Sequence, residues 1–295
     1  MDYVPAKHIV TRNRSTEWFG TDHTMNLYRG CCHGCIYCDS RSDCYQNGDF
    51  GHVRAKENAL ELVRDELRRK TRPAFIGMGS MSDPYNPFER DLELTRKALM
   101  LIHAYGCGAA IATKSDLIVR DIDLLTLIKA QAPVLCKLTV TTTDPALAAK
   151  LEPGAPSPQK RLAALKSLSG AGLFAGVLLM PVLPFLEDSV ENVRSVVDAA
   201  ADAGARFVYP AFGVTLRDSQ RDYYYQQLDR FFPGVRARYE KRYGDRYQAV
   251  CPGTKALWAA FSQRCRERGL LYEMKHIVSA VQSPYGDRQL TFFDL

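Results

Sequence analysis

A chain of 295 residues, 46% hydrophobic and 24% charged, has the make-up of an ordinary globular protein, long enough for two domains or for one barrel. No apolar run approaches the ~18–20 residues of a membrane span, and residues 1–14 lack the apolar core of a signal peptide. Nine cysteines, an odd number crowded toward one loop, argue against a disulfide scaffold and for a reducing, cytoplasmic setting, while the net charge of +6 permits a polyanionic partner without establishing one.

In chain order, residues 1–20 read as a polar, irregular arm anchored by Trp18 and Phe19. A first strand is expected near 25–28, ahead of a cysteine-rich loop. A helix over 54–70 follows, its apolar face supplied by Ala59, Leu60, Leu62, Val63 and Leu67. Apolar runs predict strands over 74–79, 109–114, 134–142, 174–183 and 207–212. The amphipathic segments between them predict helices over 89–105, 121–130, 158–170 and 189–203. Gly106, Gly172 and Gly204 stand just past helix ends, where a left-handed residue is wanted. Such alternation implies βα units and a parallel sheet of six strands, with ligands at the strands' carboxyl ends, where the cysteine loop also lies. From 214 to 295 the pattern changes to a small, mostly helical extension. It includes an Arg- and Tyr-rich segment over 221–246 and a last helix over 255–268.

The loop reads Cys31-Cys32-His33-Gly34-Cys35-Ile36-Tyr37-Cys38. Cys31, Cys35 and Cys38 have the spacing C-x3-C-x2-C. Three thiolates on so short a loop can hold three corners of a cubane iron–sulfur cluster and leave its fourth iron open. Cys32 falls outside that spacing. A structural zinc site would need a fourth ligand, which Cys44 or His33 could supply, but no second cysteine or histidine pair follows. A ferredoxin site would need four cysteines at other spacings. The loop closely resembles that of the radical S-adenosylmethionine (SAM) superfamily. The resemblance implies a [4Fe-4S] cluster whose open iron is chelated by SAM, and cleavage of SAM to a 5′-deoxyadenosyl radical that abstracts hydrogen from a substrate. It implies a partial (β/α)6 TIM-type barrel, placed here over 21–213, and an electron donor such as flavodoxin or ferredoxin.

Further stretches resemble the spore photoproduct lyase-like branch of that superfamily over residues 21–215. They are Tyr28-Arg-Gly-Cys, the run from Gly77 through Ser80, Ser82 and Asp83 to Glu89, Ala112-Thr-Lys-Ser, and the run from Leu151 to Arg161. Gly77 and Gly79 suit a close backbone approach to a ligand, and Ser80, Ser82 and Asp83 form a hydroxyl and carboxylate array. The same residues also suit a plain strand-to-helix turn capped by Ser82 or Asp83. By resemblance, Ser82 contacts the methionine end of SAM, Lys114 pairs with its carboxylate, and Tyr37 packs on its adenine. Thr141 faces the cofactor and Met180 offers backbone groups to the adenine edge. Lys114 as a solvated loop lysine, Tyr37 as loop packing and Thr141 as a strand former are the alternatives. Glu152 and Arg161 read as an ion pair that orders the Pro-rich turn over 153–158.

Two positions depart from the family. Its hydrogen-donating cysteine, two residues before the serine matched by Ser82, is replaced by Ser80, whose O–H bond is too strong for that role. The tyrosine after the third cluster cysteine is replaced by Asp39. Cys44 is the alternative donor or reactive thiol, whereas Cys136 reads as core. The resemblance implies lyase-like DNA repair, and the basic run over 64–72 and the segment over 221–246 suit a nucleic acid. A small molecule or peptide is the second reading, and a non-enzymatic metal-binding adaptor the third. The tail from Gln289 to Phe293 resembles the peptide by which repair proteins dock on the sliding clamp.

Overall fold

The apolar runs seen in the sequence become one twisted sheet, flanked by short strands that the sequence did not reveal. The computed structural model describes residues 1–45 and 48–286. The clamp-like peptide beginning at Gln289 lies outside the described residues. The arm is not irregular: β1 (Asp2–Val4) and β2 (Val10–Arg12) precede β3 (His23–Met25), β4 (Tyr28–Arg29) and β5 (Arg54–Lys56). β1 and β4 both pair with β5, making a three-stranded sheet that closes over the base of the cysteine loop. Residues 54–56 are therefore strand, and α1 (Ala59–Arg68) starts later than expected, after Asn58 turns the chain at φ 52°.

The repeating units follow as β6 (Phe75–Met78), α2 (Glu89–Leu92), α3 (Leu94–Ala104), β7 (Gly108–Thr113), α4 (Ile122–Lys129) and β8 (Val134–Thr139). Next come α5 (Pro145–Leu151), α6 (Pro158–Gly170), β9 (Phe174–Val182), α7 (Val190–Asp202) and β10 (Phe207–Thr215). Asp144, Ser157 and Ser189 cap α5, α6 and α7 with side-chain oxygens that accept from first-turn amides, as their sequence positions invite. The helix expected over 89–105 is broken at Glu93, which adopts φ 54°. The break lets the fully buried Glu89 carboxylate accept from the Thr95 amide at 3.0 Å while paired with Arg120 at 2.9 Å.

The main sheet runs β11-β10-β9-β8-β7-β6-β3-β2, where β11 (Gln248–Val250) belongs to the C-terminal segment. The six strands from β3 to β10 are mutually parallel, and both edge strands are antiparallel, so the barrel stays open. β10 continues through 213–214, where the extension was expected to begin, and β11 adds to it. α8 (Asp218–Phe231), α9 (Val235–Tyr243), α10 (Thr254–Glu267) and α11 (Met274–Gln282) supply the helices of that segment. No helix among the described residues is long and apolar enough to cross a membrane.

The outer face of the sheet packs on the helices through Ile76, Ile111, Leu138 and Val177 against Leu99, Ile128, Leu165 and Val196. Each such side chain contributes roughly 1.5–3 kcal/mol of burial. The inner face carries a second apolar group, in which Phe19, Leu135 and Phe207 meet Ile277 and Val281 of α11. Arm and α11 thus plug the concave side from below. What remains hollow is the end of the barrel beside the cysteine loop.

Candidate active site

The loop after β4 carries Cys31, Cys35 and Cys38 onto the wall of a cavity of about 500 Å³ at the carboxyl end of the parallel strands. Its backbone is held at both ends. The Cys31 amide donates to the Phe50 carbonyl at 2.9 Å, and the Ile36 amide to the Leu151 carbonyl at 2.9 Å. The turn after α5 presses on the loop's middle. A Cβ on Gly154 would lie 2.3 Å from the Cys32 carbonyl oxygen, so only glycine admits this approach. Cys32, half-buried, is not on the cavity wall, in keeping with its place outside the spacing.

Burial pushes the Cys31 thiol up to about 12 and Cys35 higher still. Iron binding is what would hold them as thiolates, since a coordinated thiol loses its proton. Among the described residues no three His, Cys, Asp or Glu side chains converge closely enough for a single metal ion. The closed zinc set is not built: Cys44 is exposed, and its sulfur lies 3.3 Å from Nη1 of Arg217, while His33 is 3.4 Å from Asp83. A cubane instead takes one thiolate on each of three separate irons, which suits three cysteines spread around one wall.

The residues from Gly77 to Asp83 form the facing wall. Gly79 has φ 91°, and a Cβ there would sit 1.9 Å from the Ala112 carbonyl oxygen. Its bareness thus serves the approach of β7 to the end of β6. Ser80 is exposed at the cavity mouth. Ser82 is buried and donates to the Tyr28 carbonyl at 3.0 Å. Asp83 ties the site together: it accepts from the Thr113 hydroxyl at 2.6 Å and the Lys114 amide at 2.8 Å, with His33 of the cysteine loop beside it. Lys114 lines the cavity with its ammonium 3.8 Å from Glu152, and the buried thiols and Glu152 overcome burial to keep it charged. Met180 lines the cavity from β9.

Three expected residues do not reach it. Tyr37 is buried just behind the wall: its ring centre lies 5.7 Å from the Lys114 ammonium, its hydroxyl donates to Glu152 and its carbonyl accepts from Gln220 of α8 at 3.1 Å. Thr141 lies past the end of β8, buried beside Glu187, whereas Thr139, two residues earlier, faces the cavity. Cys44 packs toward the C-terminal segment. Glu152 and Arg161 do pair, at 2.5 Å and fully buried, and Arg161 also donates to the carbonyls of Pro156 and Thr139. Reasoning from the sequence considered His33 only as a zinc ligand, and it missed Lys137, a lysine in the middle of β8 that is 3% exposed and lines the cavity. Burial pulls its pKa down to about 7. A charged residue inside an unbroken apolar run was the signal available for it.

A family model described as the radical SAM superfamily matches residues 25–204, which include the cysteine loop and most of the barrel. The chain belongs to the radical SAM superfamily. An uncharacterised protein of Mycobacterium tuberculosis is 36% identical over 228 residues, covering 75% of this chain and 67% of that one. Among solved structures, a spore photoproduct lyase complexed with dinucleoside spore photoproduct superimposes with a TM-score of 0.67 at 16% identity, over 91% of this chain and 80% of that one. A radical SAM methyltransferase, TsrM from Kitasatospora setae, with tryptophan and a SAM analogue bound, gives 0.56 at 13% identity, over 85% and 54%. At these identities the likeness to solved structures is one of fold, and it extends past the barrel into the C-terminal segment.

As a radical SAM enzyme, the protein uses a [4Fe-4S] cluster and SAM. The three cavity cysteines have the donor chemistry for the cluster, and charged Lys114 has the chemistry for a carboxylate, by a charge-assisted bond. The buried pair of Glu152 and Arg161 fixes the turn against which the cysteine loop rests. The chain's own residues thus bring three thiols and a charged lysine to one cavity.

Proposed function

We propose that this radical SAM enzyme acts on a lesion in DNA in a lyase-like repair reaction. The cluster and SAM, when bound, supply hydrogen-atom abstraction. The chain's residues supply the mouth through which the substrate enters. The observation that carries the reading is the stacking beside the cysteine loop. The Arg41 guanidinium lies 4.0 Å from the centre of the Tyr223 ring and 5.1 Å from that of Phe50, and Phe50 is itself on the cavity wall. Arg217, paired with Asp39 just after the cysteine loop, stacks 4.8 Å over Tyr247 in a neighbouring hollow. Cationic and aromatic planes beside the cavity suit phosphates and an extruded base. The spore photoproduct lyase of similar fold was solved with a dinucleoside photoproduct, which supports the same class of substrate.

Ser80 stands at the mouth where the family's donor cysteine would be, so hydrogen return must come from another group. Cys44 is a poor candidate for direct return, since it lies off the cavity. The basic run over 64–72 contributes less than its sequence suggests, because Arg64 and Arg68 are both turned to Asp65. A cytoplasmic setting with flavodoxin or ferredoxin as reductant completes the proposal. The test is anaerobic incubation with SAM, reductant and deuterated DNA, native or ultraviolet-irradiated. Deuterium in 5′-deoxyadenosine, with oligonucleotide affinity falling linearly in log salt, supports it. Binding that ignores salt, with no label transferred, rejects DNA in favour of a small molecule or peptide.

A further inference from the structure

Among the described residues, Lys137 is the one cavity-wall lysine or arginine to which the site has so far given no role. It projects from the middle of β8, one inward-facing position below Thr139, into the space at the bottom of the cavity. Its register partners are Ala112 on β7 and Gly176 on β9, neither of which has a side chain able to reach it. Its ammonium lies 4.4 Å from the centre of the Phe19 ring, and no carboxylate among the described residues is paired with it. Beneath it the barrel is filled by Phe19, Leu135, Leu178 and Phe207. An ammonium buried on an apolar floor without a counter-ion is a costly thing to keep. The aromatic face offsets only a part of that cost. The other basic side chain on this wall, Lys114, already has Glu152.

We propose that Lys137 is a substrate-binding residue, which receives an oxyanion of the substrate (a phosphate or a carboxylate) at the bottom of the radical cavity. Asn13, Trp18 and Thr21 of the arm also line the cavity, but the Asn13 amide and the Thr21 hydroxyl are bonded to one another, to Thr24 and to the Trp18 carbonyl, which leaves the charge of Lys137 as what an anion would meet. The substrate is thereby gripped at the bottom of the barrel while its reacting carbon faces the cysteine-loop end. In the nucleic-acid reading, the oxyanion is the phosphodiester flanking the lesion. That identification rests on the reading above, whereas the anion site does not.

The test uses the reconstituted protein, with S-adenosylhomocysteine present to occupy the cofactor position. Equilibrium dialysis measures binding of the dinucleotide dTpdT, its uncharged methylphosphonate analogue, inorganic phosphate and acetate. Wild type, K137M and K137Q are compared, with melting temperatures measured in parallel. The expected result is dTpdT binding weakened about tenfold or more in both variants, with the preference for dTpdT over the methylphosphonate abolished. Both variants melt no lower than wild type, and K137M higher, because a buried amine without a polar partner has been replaced by an apolar side chain. Phosphate or acetate binding that needs Lys137, without any dTpdT binding, keeps the anion site and removes the nucleic-acid reading. Equal binding of every probe by wild type and both variants, or no anion binding at all, overturns the proposal.

Discussion

Glu152→Gln tests the buried support under the cysteine loop. Glu152 is 2% exposed and meets three partners from three segments: the Tyr37 hydroxyl, the Lys114 ammonium and the Arg161 guanidinium. Glutamine keeps the shape and can still accept from Tyr37, so what is removed is the charge. Arg161, 1% exposed, is then left buried with only two carbonyls, at 2.7 and 3.0 Å. Breaking one side of a buried pair costs about 3–5 kcal/mol, a fall in Tm on the order of 10 °C for a chain of this size. Lys114, at 17% side-chain exposure, loses its partner as well, at the longer distance of 3.8 Å. Burial raises the Glu152 carboxyl, but Arg161 and Lys114 prevail and hold it below the usual carboxylate range. Its contribution is therefore present at neutral pH and is lost as pH falls through that range. Anaerobic thermal melts of wild type, E152Q, R161M and the double variant form a cycle. Each single variant should lose the full amount at pH 7, the double variant much less than their sum, and the gap between wild type and E152Q should narrow in acid. An E152Q protein melting within two or three degrees of wild type at pH 7, about 1 kcal/mol, would refute the reasoning.

Gly79→Ala combines a left-handed backbone with a Cβ placed 1.9 Å from the Ala112 oxygen, whereas Gly244→Ala meets nothing within 4 Å at φ 52°. Strain alone accounts for about 1–3 kcal/mol in each, so denaturation should show G79A clearly less stable than G244A. Glu187 is fully buried and burial raises its carboxyl to about 8, with one oxygen lacking any partner. The native state then holds a proton that the unfolded chain releases near 4.5, so this group makes stability fall as pH rises toward 8. Glu187→Gln should remove that slope and stabilise the protein at pH 9 by on the order of 3 kcal/mol, read from urea unfolding across pH.

The parallel sheet was legible because its strands are apolar runs separated by capped helices, and periodicity speaks clearly at that length. β1, β2 and β5 have three residues each, too few for a period of two to register. Their pairing is decided by partners far along the chain, as in the alignment of Ala55 with both Tyr3 and Tyr28. The docking of α11 into the barrel's concave side is likewise a tertiary choice, as its apolar face would suit any groove. At the site, the spacing of Cys31, Cys35 and Cys38 and the stretch from Gly79 to Asp83 pointed to one end of the barrel because both follow strand ends directly. Tyr37 is off the cavity wall because sequence adjacency to a ligand does not say which way a loop side chain turns. Here it turns to Glu152. Thr141 was displaced by two positions, a step that keeps the same face of a strand but carries the residue past its end.

The most direct measurement is iron content together with SAM cleavage after anaerobic reconstitution with iron and sulfide. Wild type should hold about four irons per chain and release 5′-deoxyadenosine only when dithionite is added. Replacing Cys31, Cys35 or Cys38 by alanine should abolish both, and replacing Cys32 or Cys44 should leave the cluster in place. Zinc in place of iron, or a cluster that survives loss of any of the first three cysteines, with SAM left intact under dithionite, would contradict the account at its base.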